Sequence, residues 1–268
     1  MRNRILLLAF SMFLMTEIRS QAYEIRIDYQ KTQQSAAAIN LPCGQDVAAE
    51  GLKEYMAKKG AKGSGFKDFT VYRSFMLDSN DKDVSDLYFK IDRKSSKEKD
   101  VTMITLVPAR KGEEIQARPV TDQAVMDEAK AFLNHLAPYI ESHHVNVQIA
   151  EQQQILTKAQ KKMTGLMDDQ ADLEKKIRKL QSDLDENKND QAKQTREVDA
   201  TVNSDFETHQ KAQKKLNHLI DNKGDLDKKL RKTQADLEQN KKDQEAQNLL
   251  IQNEQQVLSA IKAKQKPA

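Results

Sequence analysis

Residues 170–194, QADLEKKIRKLQSDLDENKNDQAKQ, recur at 223–247 as KGDLDKKLRKTQADLEQNKKDQEAQ. The two stretches align without gaps, and fourteen of their 25 positions are identical. In both copies the apolar residues are spaced three, four or seven positions apart, which places them on one stripe of a helix, as in a coiled coil. The repeat therefore predicts a long α-helical region that arose by duplication.

The segment between the two copies predicts a break in this helical region. The offset between the copies is 53 residues, which is seven heptads plus four. One seven-residue register cannot run unbroken through both copies, so a stutter or a chain reversal must separate them. Residues 198–205, VDATVNSD, contain poor helix formers. Ser204 and Glu207 have the spacing of a capping box, which would start a new helix.

A chain reversal centred near residues 201–202 would bring the apolar residues of the two copies together. The alternative, a continuous helix in a parallel dimer, leaves this agreement unexplained, so we favour an antiparallel hairpin. The hairpin would oppose Leu184 with Leu219, Ile177 with Leu226, Leu173 with Leu230 and Leu166 with Leu237. Polar residues at core positions weaken such a coil and specify its register or partner: Asn187, Gln191, Asn240 and Gln244.

A small α/β domain is predicted before the coil, over residues 23–143. Apolar and polar residues alternate over Tyr23–Tyr29, as in a half-buried strand, and a loop containing Pro42 follows. Residues 45–59 form an amphipathic helix that ends at Gly60, with lysines in its last turn. Further strands, joined by turn-like polar segments, are predicted at 69–77, 86–91 and 101–107.

A second helix of this domain leads into the coil. It begins near Thr121, whose hydroxyl would cap it, and Pro138 should kink or restart it. The element order is βαβββα, most simply one antiparallel sheet with helices on one face. Residues 144–264 form the coiled-coil region, so the predicted fold class is α+β with a long helical extension. The apolar stripe of the second helix consists of Val125, Ala129, Phe132, Leu133 and Leu136.

Residues 1–22 have the features of a secretory signal peptide. Two arginines near the start precede the apolar run Ile5–Met15, which is shorter than the roughly twenty residues of a membrane span. Ser20 and Ala22 supply the small residues required before a cleavage site. An uncleaved anchor or a buried N-terminal helix is the alternative. We expect cleavage before Tyr23 and a periplasmic or secreted protein without an integral membrane segment.

The charge distribution argues against a nucleic-acid partner. Lys and Arg number 44 and Asp and Glu 41 among 268 residues, and the two signs are mixed along the chain, which leaves a net charge of +3. Such a balance provides no basic surface for a phosphate backbone. The basic run at 93–99 lacks aromatic residues for base stacking, and we interpret it as a solvated hairpin loop. A single cysteine excludes a disulfide framework.

Groups for catalysis or metal binding are sparse. Glu141 and His144 could share a helix face, but a zinc site needs three or four protein ligands, and no further Cys or His stands at a fitting spacing. Cys43 would need an adjacent base to act as a nucleophile, for which His135 or His144 would have to lie nearby in the fold. We interpret Cys43 as a packing residue or as the site of an occasional intermolecular disulfide. We therefore predict no catalytic, cofactor-binding or metal-binding residues, and no cofactor.

Three glycines have a superficial similarity to a phosphate-binding loop. Gly60, Gly63 and Gly65 follow a helix and precede a strand, whereas a phosphate loop follows a strand and opens a helix with Gly-Lys-Ser/Thr. We interpret them as a helix stop followed by a flexible turn.

Several short phrases carry a family resemblance. INLP at 39–42, EYMAKKG at 54–60, DLYFKIDRKS at 86–95 and the long tail rich in Lys, Asp and Gln resemble uncharacterised exported proteins of Bacteroidota. The resemblance covers the layout of most of the chain after residue 22. It implies a periplasmic setting and carries over no functional residues.

Together these features predict an exported, non-enzymatic structural or adaptor protein of the cell envelope. A protein partner or self-association would use the coiled coil, or a partner would bind the small domain. One alternative is a periplasmic module that binds a small molecule or a peptide on the sheet or between sheet and helix. A second alternative is an enzyme that uses Cys43 or a carboxylate pair.

Overall fold

The computed structural model describes residues 21–29, 31–77, 84–95, 98, 100–112 and 123–265. The chain divides into two compact units. One unit extends to Gln148 and also includes the residues from Lys264 onward, and the other is Ile149–Ala263. The expected signal peptide, apart from Gln21 and Ala22, and the helix start expected at Thr121 lie outside the described residues.

Strands precede long helices along the described chain. This arrangement confirms the predicted α+β class with a long helical region. The elements are β1 (Tyr23–Tyr29), β2 (Thr32–Leu41), α1 (Gln45–Lys58), β3 (Gly63–Phe66), β4 (Phe69–Phe75), β5 (Ser85–Arg93), β6 (Thr102–Arg110), α2 (Gln123–Ala200) and α3 (Phe206–Ala263).

The six strands form one antiparallel sheet in the order β1-β2-β6-β5-β4-β3. Four of them, β1, β4, β5 and β6, lie where the alternating patterns predicted strands. The other two, β2 and β3, are additions to the predicted βαβββα order. Because β2 pairs with both β1 and β6, it is an interior strand of the sheet.

The prediction of a loop after β1 is wrong, because β2 occupies most of that segment. Its sequence, TQQSAAAINL, contains a run of three Ala, a residue that is depleted in strands, and few of the β-branched and aromatic residues that favour them. Ala36, Ala37 and Ala38 are nevertheless fully buried. Burial on both faces of the sheet outweighs the weak strand propensity of these small side chains. Pro42 follows directly after the strand.

The glycines after α1 have two different roles. Gly60 has a φ of 77° and ends α1, and the amide of Ala61 donates to the Met56 carbonyl over 2.9 Å, so the predicted helix stop is confirmed. The prediction of a flexible turn at Gly63 is wrong, because β3 begins there. A Cβ at Gly63 would lie 3.0 Å from side-chain atoms of Tyr72, so glycine permits the close approach of β3 to β4.

One face of the sheet is covered by α1 and the first part of α2. From α1, Ala48, Leu52 and Met56 are buried at the predicted helical spacing. They pack with strand residues and with α2 residues in one apolar core. Its α2 members are Met126, Ala129, Phe132, Leu133, Leu136, Ala137 and Ile140.

The helix α2 continues through Pro138. Proline has no N–H, so it cannot donate to the carbonyl four residues earlier, that of Asn134. The helix nevertheless does not restart there, in contrast to one of the predicted outcomes. Packing of Leu136 and Ile140 against the sheet, on both sides of the proline, holds the segment in place.

The opposite face of the sheet has its own smaller core. Tyr29, Ala36, Phe69, Val71, Tyr88 and Val107 are buried there. The rings of Tyr29 and Phe69 meet edge to face with 5.8 Å between their centroids, and Lys67 Nζ donates to Tyr29 Oη over 3.0 Å. These contacts join β1, one edge of the sheet, to the β3–β4 turn near the other edge. The sheet therefore curls over this second core.

Candidate functional site

The contact surface between α2 and α3 within Ile149–Ala263 is the candidate site. Buried positions recur there at heptad-related spacings, and we call this surface the seam. The fully or nearly buried seam residues of α2 are Gln152, Ala159, Leu180, Leu184, Asn187 and Val198, and those of α3 are Ala212, Thr233, Asn240 and Gln247. Much of the seam is therefore polar, which is unusual for buried positions of paired helices.

Hydrogen bonds across the seam show the direction of the pairing. Gln152 Nε2 donates to the carbonyl of Glu254 over 3.2 Å and also to its carboxylate, and Gln247 Nε2 donates to the Ala159 carbonyl over 2.9 Å. The α2 residue number thus increases by seven, from 152 to 159, while the α3 residue number decreases by seven, from 254 to 247. The two helices run antiparallel along the seam. Near the other end, Gln194 Nε2 donates to the Ala212 carbonyl over 3.3 Å, which is five heptads further in the same register.

This register differs from the predicted leucine pairing. Leu166 lies seven residues after Ala159, and Asn240 lies seven residues before Gln247, so the observed register sets Leu166 opposite Asn240. The apolar pattern predicted Leu166 opposite Leu237. The difference has a physical reason. Glutamine side chains reach carbonyls on the opposite helix, each of which retains a lone pair beyond its own helical bond, and these polar contacts, together with leucine packing, determine the register.

The first copy of the repeat makes a specific set of bonds. Gln191 Nε2 donates to Asn187 Oδ1, one turn earlier on the same helix, over 2.6 Å. The same nitrogen donates to the Leu219 carbonyl of α3 over 3.2 Å. Gln194 then reaches the Ala212 carbonyl. The buried side-chain oxygen of Asn187 thereby has a donor, so the predicted polar core positions Asn187 and Gln191 are bonded to each other in the seam.

The second copy makes the same set of bonds in the opposite direction. Gln244 Nε2 donates to Asn240 Oδ1 over 2.7 Å and to the Leu166 carbonyl of α2 over 3.2 Å, and Gln247 reaches the Ala159 carbonyl. Each donor follows its counterpart in the first copy by the offset of the repeat. One bond has no counterpart: Gln244 also donates to Gln170 Oε1 over 2.7 Å.

The acceptors of these bonds are duplicated as well. Ala212 lies 53 residues after Ala159, and Leu219 lies 53 residues after Leu166. The similarity between the two stretches therefore extends to 158–194 and 211–247. Its first part is visible in the sequence as KAQKK, which stands at 158–162 and recurs unchanged at 211–215. The donors of each copy bond to the acceptors of the other copy, so a local twofold relationship connects the two halves of the seam.

The connection between α2 and α3 is short and polar. Ser204 donates through its amide and its hydroxyl to the Thr201 carbonyl over 3.0 Å and 2.6 Å. The residue that caps α3 is Asp205, whose carboxylate accepts the Thr208 amide over 2.9 Å and the Thr208 hydroxyl over 2.7 Å. The predicted capping role of Ser204 is therefore wrong by one residue. Hydrogen bonds from Thr208 lower the pKa of Asp205.

Charged side chains border the seam. One groove beside it is lined by Leu166, Leu173 and Asn240 together with the aspartates 169, 172, 236 and 243 and Lys176. Another is lined by Gln194 and Leu219 with Asp190, Lys193, Glu197, Lys215 and His218. Leu166 and Leu219 are equivalent in the two copies, so the grooves begin at equivalent points and differ in charge.

Cys43 is placed in the core of the first unit. Its side chain is 2% exposed, its amide donates to the Leu41 carbonyl, and its carbonyl accepts the Thr102 hydroxyl over 2.7 Å. Burial, and secondarily the charge of Glu141, raise the pKa of the Cys43 thiol to about 11. A thiol in these surroundings remains protonated at neutral pH and is a poor nucleophile.

A partly exposed cluster joins α1 to α2 within the same unit. Glu54 lies 3.0 Å from His143 Nδ1 and 3.1 Å from Lys58 Nζ, and Lys58 Nζ also lies 4.8 Å from the centre of the Tyr139 ring. Hydrogen bonds with Lys58 and Tyr139 lower the pKa of Glu54, and bonds with Tyr139 and Glu54 raise the pKa of Lys58. The cluster ties two helices together.

The other residues singled out in the sequence are dispersed. His135 is exposed on α2, and His209 Nδ1 lies 3.3 Å from Thr201 Oγ1 in the connection between the long helices. In the basic run, Lys94 pairs with Glu98 over 3.4 Å, while Lys97 and Lys99 lie outside the described residues. Within the described part of the chain, no three His, Cys, Asp or Glu side chains are arranged to hold a metal ion.

Comparison with protein-family models, curated proteins and solved structures yields no match. Among the residues that the structure describes, no helix combines the length and the apolar character needed to cross a membrane.

Proposed function

We propose that the protein is an exported, non-enzymatic structural or adaptor element of the cell envelope that binds a protein partner through its helical unit. The observation that carries this proposal is the duplicated polar seam, in which Gln191 and Gln244 make equivalent bonds across the pair of helices. These polar layers hold an extended helical pair together, which provides reach, and the charged grooves beside the seam provide a partner surface. Both are properties of an adaptor.

The proposal includes an antiparallel hairpin of α2 and α3 in solution. Hydrogen bonds near both ends of the seam support it, from the Gln152–Glu254 pair to the Gln194–Ala212 pair. The short connection capped by Asp205 supports it as well. Each arm of roughly 50 residues would measure about 75 Å at 1.5 Å per residue.

A non-enzymatic role is supported by the state of the groups considered for catalysis. Cys43 is buried and its pKa is raised. The His143–Glu54 pair contacts a lysine and a tyrosine rather than a serine or cysteine nucleophile. The acidic groove beside Leu166 is a better candidate for a complementary, basic protein surface than for a reaction centre.

Export is tested by the intact mass of the protein purified from its native host. We expect a chain that begins at Tyr23, because the segment before it has a positive start, a short apolar run and a Ser20-x-Ala22 site. A chain that still begins at Met1 would contradict the proposed export and the envelope location.

The adaptor role is tested by site-specific photo-crosslinking in the native host. A photoreactive residue at Lys193, on the exposed border of the seam, should capture a protein, and one at Lys53, on the exposed face of α1, should capture none. Capture from Lys53 alone would favour the alternative of a ligand-binding or peptide-binding small domain. Capture from neither position would contradict a protein partner.

A further inference from the structure

We propose that two copies of this chain exchange their long helices, so that α2 of one copy pairs with α3 of the other. The inference deepens the proposed function, on which it rests, by naming a second copy of this chain as one partner of the seam. It starts from the twofold relationship between residues 158–194 and 211–247.

The duplicated bonds make the seam exchangeable. Gln191 and Gln194 bond to carbonyls of α3, and Gln244 and Gln247 bond to carbonyls of α2. None of these bonds depends on whether the two helices belong to one chain. In an exchanged dimer each chain would supply one donor set and one acceptor set to each seam, so every seam bond of the hairpin would be formed twice.

Exposed apolar side chains at the connection between α2 and α3 also favour the exchange. Val202 is 60% exposed and Phe206 is 79% exposed, so two large apolar side chains in and directly after the connection are left in solvent. Val202 lies four residues after the buried Val198 and seven before His209, which are both on the seam stripe. If residues 201–205 became helical, Val202 would join that stripe and be buried between the two chains.

The balance between hairpin and dimer therefore depends on the connection and on protein concentration. The seam contributes equally to both forms, so it cannot oppose the exchange. What favours the hairpin is the turn itself: the cap of Asp205 on Thr208 and the Ser204 bonds to the Thr201 carbonyl. Exchange of identical elements through a short connecting segment is a general route to dimers.

The exchanged dimer has a defined geometry. In the exchanged dimer, α2 and α3 of each chain would form one straight helix through residue 203. The twofold axis would pass there, because the residues of each seam pair, such as Ala159 and Gln247, are equally far from residue 203 along the chain. The two copies of Lys179 would then lie about 70 Å apart at 1.5 Å per residue. Lys179 of one copy and Lys228 of the other would be neighbours across the seam, less than about 30 Å apart, given helix axes about 10 Å apart. A parallel dimer would instead bring the two Lys179 residues together.

The test combines a variant of the connection with spin labels on the full chain. Asn203→Ala, Ser204→Ala and Asp205→Ala together remove the cap and raise the helix propensity of the connection. We expect this triple variant to lower the dissociation constant of the dimer at least tenfold. Light scattering coupled to size exclusion measures the dimer fraction. The control variant Ser182→Ala, Asp185→Ala and Asn189→Ala changes the same residue types at exposed positions inside α2. It should leave the dimer fraction unchanged.

Labels are placed on cysteines at 179 and 228 in a Cys43→Ala background. Chains labelled at 179 alone and chains labelled at 228 alone are unfolded together, refolded and separated by size. The dimer fraction should give a short distance between 179 and 228, and a dimer made of 179-labelled chains should give the long distance of about 70 Å that the helical rise requires. A short distance between two 179 labels, or a connection variant that stays monomeric, would overturn the exchange.

A doubly labelled chain diluted with unlabelled protein separates this failure from failure of the proposed hairpin. A short distance between 179 and 228 in the monomer supports the hairpin whatever the outcome for the dimer. A distance of about 70 Å in the monomer, as in one continuous helix, would overturn the hairpin itself. If the monomer distance is short and no dimer forms in either variant, only the exchange is overturned.

Discussion

Tyr29 and Phe69 lie on strands separated by three others in the sheet, and yet their ring centroids are 5.8 Å apart. Four strand spacings in a flat sheet would separate them by about 19 Å. Twist and curl of the sheet bring the two rings together and enclose Val71, Tyr88 and Val107 beneath them. The contact therefore gives the face opposite the helices a core of its own.

Removal of one of these rings should destabilise the first unit. Phe69→Ala should lower its free energy of unfolding by about 3–5 kcal/mol, because the side chain is nearly fully buried and contacts both Tyr29 and Tyr88. Urea unfolding followed by tyrosine fluorescence measures this effect selectively, since all six tyrosines precede residue 149. Met76→Ala, at a side chain that is 54% exposed, is the control, and an equal loss in both variants would contradict the second core.

The two copies of the repeat should respond alike to the same substitution. Gln191→Ala and Gln244→Ala should each lower the free energy of unfolding of the helical unit by about 1–2 kcal/mol. Each substitution removes a bond across the seam and leaves the side-chain oxygen of a buried Asn without this donor. Far-UV circular dichroism during thermal unfolding measures the loss. Gln239→Ala, at an exposed position where the side chain donates to Asp243 on the same helix, should have little effect. A loss in one copy alone would argue against equivalent halves.

The start of α3 should depend on pH through Asp205. Bonds from Thr208 lower the pKa of this carboxyl below 3.8. A lowered pKa in the folded state means that the cap stabilises the helix above the unfolded-state pKa of about 3.9, and that this stabilisation disappears as the pH falls through the folded-state value. The Thr208 amide resonance should report the transition during an acid titration.

Two variants distinguish the cap from a general effect of acid. Asp205→Asn retains an acceptor for the Thr208 amide, so the helix start should persist and its dependence on pH should vanish. Asp205→Ala removes the acceptor, and the amides of the first turn should exchange faster at all pH values. A pH dependence that survives in Asp205→Asn would assign the transition to another carboxyl group.

Cys43 should react slowly in the folded protein. Its pKa of about 11, against an ordinary value of 9.0, leaves about 100-fold less thiolate at pH 8, and burial hinders access in addition. Alkylation by iodoacetamide, followed by mass spectrometry, should be at least about 100-fold slower in buffer than in denaturant. Reaction at similar rates in both conditions would contradict the buried thiol and revive a chemical role for this residue.

The long helices, the strand at Tyr23–Tyr29 and the helix ending at Gly60 could be predicted because their signals are local. An amphipathic period, a breaker and a capping preference act within a few residues. The strand β2 could not be predicted in this way, because its run of Ala residues has weak strand propensity. It forms because pairing with β1 and β6 buries Ala36–Ala38 on both sides.

The seam, too, has features that the sequence predicts and features that only the tertiary structure determines. The sequence alone shows the similarity of residues 170–194 to 223–247, their offset of 53 residues and the polar residues at expected core positions. Matching of apolar residues nevertheless opposed Leu166 with Leu237, because it took no account of the reach of glutamine side chains. The Gln247–Ala159 bond assigns a different register, since a buried amide must find an acceptor wherever the opposite helix provides one.

The α+β class and the position of most strands and helices follow from the amino-acid sequence alone, because periodicity and local conformational preferences specify them. Three features arise only in the folded chain: the contact of Tyr29 with Phe69 across the curled sheet, the burial of Cys43, and the bonds that each repeat copy makes to the other helix. These features depend on contacts between residues distant in the chain, whose geometry no local pattern specifies.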